Sequence, residues 1–112
     1  MSVHQQSSRQ LQSADTAQSP DAVLDAAVSF FAHRGGVYSA FLEKRGPTHV
    51  VLRGQGGEEI VIGVAPIPGG TRVSGSTYMF DQQVARFLAV LPPYVAPPSP
   101  PALPEPAEQE PA

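Results

Sequence analysis

The feature that most constrains this chain is an amphipathic segment, residues 70–91. Five apolar residues recur there at the spacing of one helical face: Phe80, Val84, Phe87, Leu88 and Leu91. Residues 71–76, just before these five, have the composition of a strand. A proline pair, residues 92–93, follows Leu91 and ends the helix. A helix with so apolar a face is stable only when the face is buried, so the rest of the chain must supply the surface that covers it.

A second helix is predicted ahead of the strands. Ser19 can cap it, Pro20 suits its first turn, and the glycine pair at residues 35–36 ends it. Between these signals lies a broad apolar stripe, which comprises Val23, Leu24, Ala27, Val28 and Phe31.

Four strands are predicted between the two helices, at residues 37–44, 49–53, 59–65 and 71–76. The short loops between them favour an antiparallel meander, because parallel pairs need long crossovers. We therefore expect an α+β fold, in which a helix, a four-stranded meander and a helix follow one another and both helices lie on one face of the sheet. The residues expected to point inward are Val50, Leu52, Ile60, Ile62 and Val64.

The chain has 112 residues, enough for one domain. We expect residues 20–92 to form it. Residues 1–19 are polar and without a period, so we expect a disordered arm there; residues 93–112 are rich in proline and glutamate, so we expect a disordered tail. The sequence leaves open whether this tail is a docking peptide or an inert spacer.

The charges argue against a nucleic-acid partner. Residues 20–92 carry equal numbers of basic and acidic side chains, and the net charge of −3 comes from Glu105, Glu108 and Glu110. No apolar run is long enough to cross a membrane, and residues 1–19 lack the apolar stretch of a secretory signal. We therefore expect a cytoplasmic protein that does not insert into membranes.

The residues that could carry chemistry are scattered. The chain has no cysteine, and its histidines (His4, His33 and His49) show no metal-ligand spacing. Glu58 and Glu59 are adjacent, so on a strand they point to opposite faces. The glycine-rich residues 54–57 precede a strand instead of the helix that a phosphate cradle needs. The sequence predicts no cofactor, no metal and no catalytic set.

Six residues are candidate contacts for a partner or ligand. Val51 and Val61 alternate with the inward residues and so lie on the second face of the sheet. Arg53 and Arg72 are expected on neighbouring parts of that face, where with Tyr38 they could contact an anionic or aromatic group. The alternative is that both arginines are ordinary cross-strand charges. Met79 flanks the face of the second helix.

Residues 69–75 (Gly-Gly-Thr-Arg-Val-Ser-Gly), leading straight into the long helix, resemble the closing strand and C-terminal helix of the START-like, polyketide-cyclase-like (helix-grip) superfamily. The resemblance covers about twenty residues and is unspecific. It implies a curved antiparallel sheet that grips a helix, with room for an apolar ligand between them. This chain is shorter than such domains and has fewer strands, and no site residue is carried over.

Three functions follow from the sequence. The first is a non-catalytic interaction module that self-associates or docks on a protein partner. The second is a carrier of a small apolar ligand, held between helices and sheet by Val28, Phe31, Ile62, Phe80 and Phe87. The third is an accessory subunit of an enzyme complex, whose candidate groups are His49 and Asp81.

Overall fold

The computed structural model describes residues 10–34 and 36–98. In these residues the elements follow the order β1 (Gln10–Thr16), α1 (Pro20–His33), a 3₁₀ turn (Gly36–Tyr38), β2 (Ala40–Arg45), β3 (His49–Gly54), β4 (Glu59–Ile67), β5 (Gly70–Thr77) and α2 (Asp81–Val90). None of the helices is both long and apolar enough to span a membrane, as far as the described residues show.

The first helix begins where its sequence signals place it. The Ser19 side chain accepts a hydrogen bond from the backbone N–H of Ala22, and Pro20 occupies the first turn. The Arg34 N–H bonds to the Phe30 carbonyl at the other end, and Gly36 then adopts a positive φ of 57°. The predicted start, apolar stripe and end of α1 are confirmed.

The sheet has five antiparallel strands in the order β1-β5-β4-β3-β2. β2 to β5 form the expected meander, although β2 starts at Ala40 because Val37 and Tyr38 belong to the 3₁₀ turn. The prediction of four strands was wrong: β1 comes from residues assigned to the N-terminal arm and pairs along its whole length with β5, from Gln10 opposite Thr77 to Thr16 opposite Thr71.

β1 escaped prediction because it is polar. Ser13 and Asp15 point away from the helices, and the inward Gln12 donates a hydrogen bond to the Asp81 carbonyl at the start of α2. Inward Thr16 donates to the Pro92 carbonyl. An edge strand held by backbone pairing and such bonds needs little apolar periodicity.

Both helices pack on the same face of the sheet and enclose one core. All five strand residues expected to point inward are buried there, and Val23, Leu24, Ala27 and Phe31 of α1 cover them. Val84 of α2 packs directly over Gly75 of β5, where a Cβ would lie 2.5 Å from Val84 Cγ1. The arrangement of two helices on one sheet face is therefore as the sequence predicts.

The second helix keeps its predicted apolar face but starts differently. Phe80, the first of the five apolar residues, is its N-cap residue, so the helix begins at Asp81 and has no side-chain capping hydrogen bond. The Thr77 hydroxyl accepts a hydrogen bond from the Phe80 N–H, which holds the chain as it leaves β5.

The proline-rich segment begins against the domain instead of leaving it at residue 93. Pro93 bridges to Thr16, the Tyr94 hydroxyl donates to the Pro68 carbonyl at 2.6 Å, and Pro97 lies beside Gly69. Residues 93–97, which were assigned to the tail, thus lie against β1 and the β4–β5 turn. Residues 1–9 and 99–112, also assigned to arm and tail, lie outside the described residues.

Candidate interaction surface

The second face of the sheet carries no helix in the described part of the chain, and we call it the open face. Its centre is flat: Val51 of β3 pairs with Val61 of β4, while Gly63 of β4 lies opposite Ser74 of β5. The side chains in the middle of the open face are therefore small or half-buried, and its larger side chains lie at the two ends of the strands. Val51 and Val61 are thus cross-strand neighbours on the face where the alternation placed them.

One end of the open face is organised by Arg53. Its guanidinium donates to Glu43 of β2 at 2.7 Å and to the Gly57 carbonyl at 3.1 Å, and it lies 3.6 Å from the Glu59 carboxylate. These bonds keep Arg53 upright beside the β3–β4 loop. An arginine held in this way presents a fixed surface with little side-chain entropy left to lose on binding.

Arg72 lies at the other end of the same face. Arg53 pairs with Glu59 of β4 and Arg72 with Ala65 of the same strand. The two arginines are therefore six residue steps apart, roughly 20 Å along the strand. The expectation that the two arginines lie on neighbouring parts of the face was wrong, and the alternative interpretation, ordinary cross-strand charges, describes the pairs that both make. Arg72 instead forms a two-pronged bond with Asp15 of β1, at 2.9 and 3.1 Å.

The bond between Arg72 and Asp15 has an electrostatic consequence. Hydrogen bonding from Arg72 holds the pKa of the Asp15 carboxyl below its ordinary value, against a smaller desolvation effect in the opposite direction. The ion pair joins β1 to β5 on the open face, next to the Thr16–Thr71 end of their pairing. Both side chains are partly exposed, so its effect on stability is modest.

Tyr38 and Met79 are brought together beside the first turn of α2. The Tyr38 ring meets the Phe80 ring edge-on at 5.7 Å, and Tyr38 and Met79 line one groove together with Arg86. Met79 also lines the adjoining groove with Tyr78 and Arg53. Met79 therefore links Tyr38 to the Arg53 end of the open face.

Two further residues complete this region. Phe41 of the edge strand β2 lies directly opposite Arg53, and Tyr78 continues the outward parity of β5. We call the set Tyr38, Phe41, Arg53, Tyr78 and Met79 the aromatic end. Its three aromatic side chains are about half exposed and Met79 is 72% exposed.

The sequence pattern identifies Tyr38, Arg53 and Met79 as candidate contacts, but not Phe41 or Tyr78. The signal for Tyr78 was present: it follows the alternation of β5, so with Ser74 and Ser76 it had to point outward. Phe41 could not be placed, because the register of β2 shifts between Leu42 and Lys44.

The groups considered for catalysis stay apart. His49 opens β3 beside the Gly46 turn, and the Glu58 carboxylate accepts the Gly56 N–H within its own loop. Asp81 lies in the first turn of α2. Within residues 10–34 and 36–98, no three acidic or histidine side chains come together as a metal site.

Three of the residues predicted to surround an apolar ligand lie in the hydrophobic core. Phe31, Ile62 and Phe87 are fully buried, and the rings of Phe31 and Phe87 lie 5.5 Å apart. A groove of about 280 Å³ lies instead on the outer side of the helix pair, lined by Gln18, Ala26, Ser29, Phe30, Arg34, Phe87, Val90, Leu91 and Pro92.

Comparison with known proteins returned no relative: no family model, no curated protein and no solved structure matches this chain.

Proposed function

We propose that this chain is a non-catalytic interaction module that self-associates or docks on a protein partner through the aromatic end. The observation that supports this is that three half-exposed aromatic side chains and Met79 lie at the same end of the sheet as the immobilised Arg53. Tyrosine, phenylalanine, methionine and arginine are the residue types enriched at protein interfaces.

The geometry of the aromatic end favours a protein surface over a small ligand. Its two grooves share Met79, so together they form one continuous strip that runs from the first turn of α2 to the β3–β4 loop. Broad contact by rigid aromatic anchors, with charged groups at the rim, is how transient protein interfaces gain affinity. Arg53, Glu43 and Glu59 supply such a rim.

A second copy of the chain is the first partner to test. Light scattering on the full chain at about 100 µM is expected to show a dimer, because docking through a small apolar strip gives affinities on the order of micromolar. The Met79→Glu variant is expected to be monomeric, since it buries a charge in that strip. Met79 is largely exposed, so the variant should keep the melting temperature of the parent.

Val95→Glu is the matched control. Val95 is as exposed as Met79 (78%) but lies beside the β4–β5 turn, at the opposite end of the sheet. A Val95→Glu chain that also becomes monomeric would place the interface elsewhere.

A monomeric parent would contradict self-association and leave docking on another protein. Affinity capture with the parent and with Met79→Glu then decides: the same set of captured proteins from both chains would refute the aromatic end as the docking surface.

A further inference from the structure

The groove between the helices combines an apolar floor with polar groups that the fold does not use. Phe30, Phe87 and Leu91 form the floor, where the rings of Phe30 and Phe87 lie 5.5 Å apart. The floor is rigid because Phe87 is fully buried and Leu91 nearly so. It lies on the side of the helices that faces away from the sheet.

Arg34 forms the cationic rim of this groove. Its guanidinium lies over the Phe30 ring, 5.9 Å from the ring centroid, and no carboxylate among residues 10–34 and 36–98 pairs with it. The stacked ring limits its motion while its N–H groups stay exposed. A planar guanidinium in this state is suited to a carboxylate, which it can bind through two parallel hydrogen bonds.

Gln18 contributes to the wall of the same groove. Its backbone is held firmly, since its N–H donates to Thr16 and its carbonyl accepts from the Thr71 hydroxyl at 2.7 Å. Its side-chain Oε1, however, is buried and receives no hydrogen bond from the described residues. A buried acceptor without a donor is costly, and a ligand donor that the amide turns to meet would relieve that cost.

We propose that the groove binds a small apolar carboxylic acid that carries a hydroxyl group at its far end. The carboxylate binds Arg34, the apolar body lies on Phe30, Phe87 and Leu91, and the hydroxyl donates to Gln18 Oε1. The groove volume of about 280 Å³ limits the ligand to on the order of ten non-hydrogen atoms, taking about 30 Å³ for each water displaced. This site is independent of the aromatic end, since the two share no residue.

The test uses the full chain and three probes of matched size. 4-Hydroxyphenylacetate has both polar groups, phenylacetate lacks the hydroxyl, and tyramine has an ammonium in place of the carboxylate. Titration followed by ¹⁵N–¹H NMR is expected to give saturable shifts at Gln18, Phe30 and Arg34 with 4-hydroxyphenylacetate, with a Kd on the order of 0.1–1 mM. Phenylacetate should bind roughly threefold to tenfold more weakly, and tyramine should give no saturable shifts in this groove.

Variants separate the two polar contacts. Arg34→Gln is expected to weaken 4-hydroxyphenylacetate roughly tenfold or more, because it removes a charge-assisted bond. Gln18→Leu should abolish the preference for the hydroxylated acid over phenylacetate. Arg86→Gln is the matched control. Arg86 is likewise an exposed arginine, but it lines the groove beside Met79, so the affinity should not change.

Three results would overturn the proposal. The first is no saturable shift with 4-hydroxyphenylacetate at about 10 mM, on the order of ten times its weakest expected Kd. The second is unchanged affinity in Arg34→Gln, and the third is binding of tyramine as tight as that of 4-hydroxyphenylacetate. Arg34 is exposed, so a folding defect is not expected to obscure its variant.

Discussion

At the scale of single residues, Phe87 is the side chain that connects the two helices. It is fully buried, and its ring contacts Phe30 and Phe31 of the other helix, each with ring centroids 5.5 Å away. One side chain thus joins the two helices above the sheet. The periodicity of residues 80–91 already placed it on the buried face, but its contact with both phenylalanines of α1 is a result of the fold.

The Phe87→Ala variant is expected to lose about 3–5 kcal/mol of unfolding free energy, because truncation leaves a cavity in a close-packed core. Urea denaturation followed by circular dichroism measures the loss. Val90→Ala, three residues further on and 55% exposed, is the control and should change the stability by no more than about 0.5 kcal/mol. A loss below about 1 kcal/mol for Phe87→Ala would contradict its burial.

At the scale of elements, threonine hydroxyl groups of β1 and β5 connect neighbouring segments of the chain. The buried Thr16, Thr71 and Thr77 each donate to a backbone carbonyl, of Pro92, Gln18 and Glu59 respectively. These bonds let threonines occupy inward positions that the alternation otherwise gives to valine and isoleucine. They also join β1 and the segment after α2 to the sheet.

Residues 93–98 act as a short strap across the β4–β5 turn. A chain that ends at Pro92 is expected to be less stable than one that ends at Pro98 by about 1–2 kcal/mol, because it loses the Tyr94–Pro68 bond and the packing on Gly69 and Gly70. Thermal denaturation of the two chains tests this. From the sequence alone, removal of residues 93–112 is expected to leave folding intact, because a proline-rich tail makes few core contacts.

Tyr94→Phe in the full chain separates the two parts of that effect. It removes the hydroxyl and keeps the ring beside Gly70, so it should cost only about 0.5–1.5 kcal/mol. Equal stability of the chains ending at Pro92 and Pro98 would show that the strap adds nothing to folding.

At the scale of the whole molecule, the sheet is completed by pairing the first strand with the last. β1 and β5 are separated by more than fifty residues, and β1 also bonds to the start of α2 through Gln12 and Asp81. A domain of this size buries only about 60% of the surface that its unfolded chain exposes. Its stability therefore depends on every strand.

Removal of β1 should affect the whole fold. A chain that starts at Ala17 is expected to melt more than about 10 °C below one that starts at Gln10, or to lose its cooperative transition, since β5 would become an unpaired edge and Thr16 would be lost. Differential scanning calorimetry compares the two chains. Melting temperatures within about 2 °C of each other would mean that β1 pairs too weakly to contribute.

Local pattern alone was enough for both helices, the order of β2 to β5 and the inward residues such as Val50 and Ile62. Caps, breakers and apolar periods act over a few residues, so the sequence shows them directly. It also identified Tyr38, Arg53 and Met79 as surface candidates, but without the geometry that joins them through Met79.

Four features are visible only in the tertiary structure. They are the pairing of β1 with β5, the strap at Tyr94, the separation of Arg53 from Arg72 and the groove between Arg34 and Gln18. Each depends on partners distant in sequence: β1 on the free edge of β5, Tyr94 on the Pro68 carbonyl, and the groove on the two helices meeting through Phe30 and Phe87. The sequence around a polar strand or an exposed arginine shows no apolar period from which its spatial partner could be predicted. Such features are set only when the folded chain brings the partner into reach.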